Sequence, residues 1–203
     1  MAAALHWEGD GAEVHKVVVG PMDNNVFVLR CTDTGEAVLV DAANEAERIL
    51  GMAKELNVGR VLTTHGHWDH IQAVPQAREA GYRVAVSAGD AEMLPAYDDV
   101  LEDDTVLEVG RLRLRTILTP GHTPGSMCFR LEGRPLLFSG DTLFPGGPGN
   151  TERDPERFAT IMRSIDERLF PQGDDVQVLP GHGDDTTIGT EKPHFDEWAE
   201  RGW

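Results

Sequence analysis

The chain has 203 residues, 40% of them hydrophobic and 26% charged, a composition and length that suit a folded protein with one sizeable core. Its formal net charge of −17 opposes binding to phosphate backbones and anionic lipid, so neither a nucleic-acid nor a membrane partner is expected. No apolar run is long enough to span a bilayer and the N-terminus lacks a basic-then-apolar leader, so a cytoplasmic location is expected.

Residues 1–13, with His6 and Trp7, show no defensible period. Strands are predicted over Val14–Val19, Asn25–Cys31 and Ala37–Val40, separated by Gly-Pro and Asp-Thr-Gly turn signals. Asn44–Leu56 has Ala46, Ile49, Leu50, Ala53 and Leu56 at helical spacing. A short buried strand, Arg60–Thr63, precedes a histidine-rich run, and a helix is predicted from Gln72 to Ala80. Tyr82–Val86 reads as a strand and Gly89–Leu94 as a short helix, whereas residues 95–105 are acidic and irregular. Arg111–Leu118, Met127–Leu131, Pro135–Phe138 and Val176–Leu179 read as further strands. Pro155–Leu169 is amphipathic, with Phe158, Ile161, Met162, Ile165 and Leu169 on one side, and His194–Trp203 is a terminal helix. Strands grouped with intervening helices suggest a sandwich of sheets covered outside by helices, in a single domain over residues 1–203. The two cysteines, Cys31 and Cys128, form no metal or redox pair and sit in apolar surroundings, so buried free thiols are expected.

The densest chemistry lies in Thr64-His65-Gly66-His67-Trp68-Asp69-His70. Imidazoles and carboxylates are first-row metal donors, and packing alone does not call for this concentration of them. His65 and His67 are two apart, so an extended segment sends both to one face, whereas a helix would splay them by about 200°. The run is therefore placed on a strand-to-helix loop. Three more donors follow apolar strands beside glycine: His122 in Pro120-Gly121-His122-Thr123-Pro124-Gly125-Ser126, Asp141 in Ser139-Gly140-Asp141-Thr142, and His182 in Pro180-Gly181-His182-Gly183. Each alone could be a turn residue, and Asp141 a helix cap. Together they point to strand ends converging on one rim.

At these residues the sequence resembles the metallo-β-lactamase superfamily, whose ordered set of donors is met by His65, His67, Asp69, His70, His122, Asp141 and His182. The resemblance implies an α+β fold, a four-layer αβ/βα sandwich with a two-metal site at its edge. The strings Thr-His-Gly-His-Trp-Asp-His, Pro-Gly-His-Thr-Pro-Gly-Ser, Ser-Gly-Asp-Thr-Leu-Phe and Pro-Gly-His-Gly look most like the glyoxalase II (hydroxyacylglutathione hydrolase) branch. Carried over, the family roles give His65, His67 and His122 to one ion, Asp69, His70 and His182 to the second, and Asp141 to both. The implied cofactors are two divalent metal ions, zinc first, with iron and manganese also compatible with this donor set. The implied reaction is attack of a metal-bridging hydroxide on a small-molecule acyl thioester or ester, with Asp69 as the catalytic group that orients it.

Asp41 and Thr119 are candidates to orient the metal-bound imidazoles, Asp41 alternatively being a helix cap. His6, His15 and His194 are read as ordinary surface or packing residues, and Trp68 as a pocket wall or a buried aromatic. The larger glyoxalase II enzymes carry a C-terminal helical domain that grips glutathione, and none is expected here. Where the family tends to place a lysine and a tyrosine for glutathione stands Gly149-Asn150-Thr151-Glu152, and after the last histidine stand Gly183 and Asp184. The acyl group, the thiol carrier and the oligomeric state stay open. The alternatives are a mononuclear iron persulfide dioxygenase, a lactone or β-lactam hydrolase on the same fold, and a binding protein that keeps the cage without catalysis.

Overall fold

The computed structural model describes residues 4–202. Residues 1–3 of the unpatterned opening stretch, and Trp203 at the end of the expected terminal helix, lie outside the described residues. Strands β1 (Ala4–Gly9), β2 (Ala12–Val19), β3 (Asn24–Cys31) and β4 (Ala37–Val40) lead into helix α1 (Ala46–Glu55) and β5 (Val58–Leu62). The short helices α2 (Trp68–Ile71) and α3 (Val74–Glu79), then β6 (Arg83–Ser87) and β7 (Asp99–Leu101), complete the first half. The second half runs β8 (Val106–Val109), β9 (Leu112–Leu118), β10 (Met127–Leu131), β11 (Leu136–Gly140), and a small hairpin of β12 (Leu143–Phe144) and β13 (Gly147–Pro148). Helix α4 (Pro155–Ser164), β14 (Gln177–Pro180), β15 (Thr186–Thr187), α5 (Ile188–Glu191) and α6 (Phe195–Arg201) follow.

The strands form two large sheets. One has seven strands in the order β1 to β7, antiparallel through β4 and parallel from β4 to β7. The other has six, in the order β15-β14-β11-β10-β9-β8, with β11 and β14 parallel. Because side chains alternate along a strand, the central strands bury both faces. Phe27, Leu29, Val38 and Val40 pack between the sheets against Leu114, Phe129, Phe138 and Leu179. Val26, Val28 and Leu39 point outward to Ile49, Met52, Val74 and Ala77 of α1 and α3. On the far side, Cys128, Leu137 and Val178 meet Ile161, Met162 and Ile165 beneath α4. The layers are therefore helix, sheet, sheet and helix, the expected α+β sandwich.

Several elements depart from the sequence reading. β1 falls in the stretch that shows no period, because its register shifts between Leu5 and Trp7 and the bulge breaks the alternation. β7 lies inside the 95–105 stretch read as irregular and β8 directly follows it; each is short and lies at a sheet edge, where burial imposes little pattern. The α1 helix starts later than Asn44, with Glu45 at its N-cap position. The expected Pro155–Leu169 helix is α-helical to Ser164 and then widens into a π turn over Ile165–Leu169. Asp69 and His70 already stand on α2, so the loop proper ends at His67. No described helix is long and apolar enough to cross a membrane.

Candidate metal centre

The seven donors come from four segments at one rim of the sandwich. The residues after β5 carry four of them, His122 follows β9, Asp141 directly follows β11, and His182 follows β14. Parallel alignment of β4, β5 and β6, and of β11 with β14, places these strand ends on the same side. Three groups result, each with donor atoms within 4.8 Å of one another: His65, His67 and His122; His65, His70 and Asp141; and Asp69, His70 and His182. The rings of His65 and His67 stand 4.9 Å apart, those of His67 and His122 4.5 Å, and those of His70 and His182 5.1 Å.

Hydrogen bonds fix which nitrogen faces inward in the rings of His65, His70, His122 and His182. The Thr64 hydroxyl donates to Asp41 Oδ2 at 2.8 Å, so it accepts from His65 Nδ1 at 3.0 Å. His122 Nδ1 donates to the Asn150 carbonyl at 2.7 Å, His70 Nδ1 to Asp41 Oδ2 at 2.8 Å, and His182 Nδ1 to the Met22 carbonyl at 2.8 Å. In these four rings Nδ1 is thereby turned outward and Nε2 inward, the orientation of a metal-ligating imidazole.

These inward atoms fit a cation. His65 Nε2, His122 Nε2 and Asp141 Oδ1 are buried and have no hydrogen-bond partner. Buried polar atoms are rarely left so, because the desolvation cost goes uncompensated. His70 Nε2 and His182 Nε2 face each other at 3.1 Å, with Asp69 Oδ2 at 3.5 and 3.3 Å from them. Gly181 keeps the space open: a Cβ there would run into Asp141 Oδ1 and lie 2.7 Å from His70 Cε1.

The electrostatics divide along the same line. Burial, and then repulsion from the imidazoles of His70, His122 and His67, holds His65 well below its ordinary pKa. Burial also lowers His67 and His122. Those rings are neutral, the form that binds metal. At His70, burial pushes the pKa down, but the carboxylates of Asp141, Asp41 and Asp69 prevail and hold it up to about 9. At Asp69, burial works upward, yet the His182 hydrogen bond, the His70 charge and the Asn24 amide hold the carboxyl far below its usual range. That half of the site is a cation-seeking field.

Asp41 orients His70 and also accepts the Thr64 backbone N–H at 2.7 Å, so it is no helix cap. Thr119, the other candidate, touches no imidazole; its hydroxyl meets Thr142 Oγ1 at 2.9 Å and steadies the turn carrying Asp141. Trp68 is 58% exposed, which removes the reading of it as a buried aromatic. His6, His15 and His194 stand 2.8, 3.2 and 3.2 Å from Asp185, Glu13 and Glu197. Cys31 and Cys128 are buried free thiols, as expected. Two residues escaped the sequence reading. Asn24 donates its amide to Asp69 Oδ2 at 2.9 Å, and buried Asp90 accepts the Gly66 N–H at 2.8 Å. Neither stands beside a donor in the chain: Asn24 lies between Asp23 and Asn25, and Asp90 in Ala88-Gly89-Asp90-Ala91-Glu92, so no local pattern marked them.

A cleft of about 290 Å³ opens beside His122 and Asp141, walled by Phe144, Pro148, Asn150 and Arg201. A larger one, about 740 Å³, lies around the beginnings of β4 and β5 and includes none of the seven donors. The first is the one that adjoins the chemistry.

Comparison with known proteins agrees with this geometry. A profile of the metallo-β-lactamase superfamily matches residues 19–186. The probable metallo-hydrolase YqgX of Bacillus subtilis (strain 168) is 32% identical over 199 residues, 87% of this chain and 93% of that protein. The hydroxyacylglutathione hydrolase GloC of Haemophilus influenzae is 32% identical over 182 residues, 79% of this chain and 86% of that protein. The crystal structure of the B3 metallo-β-lactamase BLEG-1 superposes with a TM-score of 0.81 at 28% identity, covering 89% of this chain and 97% of that one.

Proposed function

Because the chain belongs to the metallo-β-lactamase superfamily, whose members are metal-dependent hydrolases, we propose that it is a dinuclear hydrolase of small acyl thioesters. The observation that carries the reading is the convergence of two donor trios on Asp141, with three buried inward atoms lacking any partner. His65, His67 and His122 would hold one divalent ion, Asp69, His70 and His182 the other, and Asp141 both. Zinc is the first choice among ions that accept nitrogen and oxygen donors. Such ions supply a water deprotonated near neutral pH and a Lewis acid for a carbonyl oxygen.

The chain's own residues do the rest. The outward Nδ1 bonds to Thr64, Asp41, Asn150 and Met22 hold the rings in the ligating tautomer. Asp69, kept ionised and pinned by the Asn24 amide, stays a hydrogen-bond acceptor that would orient an attacking water. The cleft beside His122 gives the acyl or thiol arm a partly apolar wall in Phe144 and Pro148. Identity to GloC over most of both chains supports a thioester, and the presence of a complete second trio favours hydrolysis over single-iron oxygenase chemistry.

The test is elemental analysis of the purified protein followed by a thioester panel that includes lactoylglutathione. Two ions per chain and thioester turnover are expected, and Asp141→Ala should depress that turnover by orders of magnitude. One iron per chain, with oxygen uptake on a persulfide, would replace this reading.

A further inference from the structure

Two buried carboxylates flank the histidine run and share its backbone between them. Asp41 takes the N–H of Thr64, and Asp90 takes that of Gly66. Asp90 follows β6 in a turn of 3-10 helix and is fully buried. Its Oδ2 accepts the Gly66 N–H at 2.8 Å and the Thr123 hydroxyl at 2.6 Å, and its Oδ1 accepts the Gly125 N–H at 2.7 Å. Gly66 lies between His65 and His67, and Thr123 directly follows His122. One side chain therefore grips both segments that bring the three-imidazole group together.

The surroundings are built for that grip. A Cβ on Gly66 would stand 2.6 Å from Met93 Cβ, on Gly89 2.8 Å from the Gly125 Cα, and on Gly125 2.5 Å from the Asp90 nitrogen. Glycine at all three points lets the segments close around the carboxylate. Three donors converge on it, and a carboxylate has lone pairs for all of them, whereas an amide has one acceptor oxygen and would turn an N–H toward a donor. The roots of the two loops are already joined by the Met127 N–H to Thr64 carbonyl bond at 2.8 Å. The scaffold thus has its own connection there, and the Asp90 bonds act further out, at the residues that carry the donors.

We infer that Asp90 is a positioning residue that assembles the His65, His67 and His122 ion site by tying the loop after β5 to the loop after β9. Asp41 instead orients His70 of the other group, and through the Thr64 hydroxyl it also reaches His65. The Asp90 bonds run to the two segments that carry the three-imidazole group, so that ion site can be weakened while the other is kept. This rests on the metal-binding reading above.

The test is titration of metal-freed protein with zinc, followed by calorimetry and by the NMR signals of the imidazoles, which report each trio and the fold in one sample. In Asp90→Asn, zinc affinity at the His65, His67 and His122 group should fall about 10–100-fold, while the His70 and His182 signals titrate as in the wild type. Thr123→Val removes a single donor and should weaken the same group about fivefold. A folded Asp90→Asn with unchanged affinity at that group, or with both groups weakened alike, overturns the inference. If Asp90→Asn does not fold, Thr123→Val decides, and unchanged affinity there overturns it. A wild-type protein that binds no zinc would instead overturn the metal-binding reading, so the two failures are distinct.

Discussion

At the scale of single residues, the candidate site is a matter of which atom faces inward. Asp41 sits at a positive φ of 64° at the end of β4, an uncommon conformation for a residue with a side chain. It satisfies the Thr64 N–H, the Thr64 hydroxyl and His70 Nδ1 together. Asp41→Asn is expected to loosen the His70 ring and weaken zinc binding at the Asp69, His70 and His182 group by about 10–100-fold, read by zinc titration. Gly181 is the complementary case, where a missing side chain makes the room. Gly181→Ala would press on Asp141 and His70, and a displacement near 1 Å is expected to lower turnover by about 100-fold. Steady-state kinetics together with metal content would check it. The donors were legible in the chain because histidine and aspartate beside glycine are conspicuous after apolar strands. Asn24 and Asp90 were not, since their partners lie 45 and 24 residues away and only folding supplies them.

At the scale of elements, helices outside the sheets hold the loops that carry donors. The α4 helix begins at Asp154, whose Oδ1 accepts the N–H groups of Glu156 at 2.8 Å and Arg157 at 3.1 Å. Arg157 then reaches the carbonyls of Gly121 and His122, and a Cβ on Gly121 would collide with Ile161. The cap thus supports the His122 loop as well as its own helix. Asp154→Ala is expected to cost about 1 kcal/mol, which at this size lowers the melting temperature by about 2–4 °C in a thermal scan. Elements with a full apolar face, such as β3, β10 and α4, could be read from period alone. The strand β1 could not, because its bulge interrupts the alternation, and β7 and β8 are too short and too near an edge to carry one.

At the scale of the whole molecule, the sandwich brings segments separated by more than a hundred residues to one rim, and ions bound there would tie both sheets together. A ligand held only by the folded state stabilises it by about 2.7 kcal/mol at a free concentration 100 times its dissociation constant. Removal of one such ion by a chelator is therefore expected to lower the melting temperature by about 5–11 °C. An unchanged melt after verified metal removal would contradict that coupling. The acidic balance, the core faces of the long strands and the ordered series of donors were all determined by the sequence, because hydrophobic period and donor chemistry are local properties. Which nitrogen of those four rings turns inward, which segments each buried carboxylate reaches, and which cleft adjoins the donors were decided only by the tertiary structure. Those depend on hydrogen bonds and close glycine contacts between segments that are distant in the chain, and no local pattern encodes a distance in space.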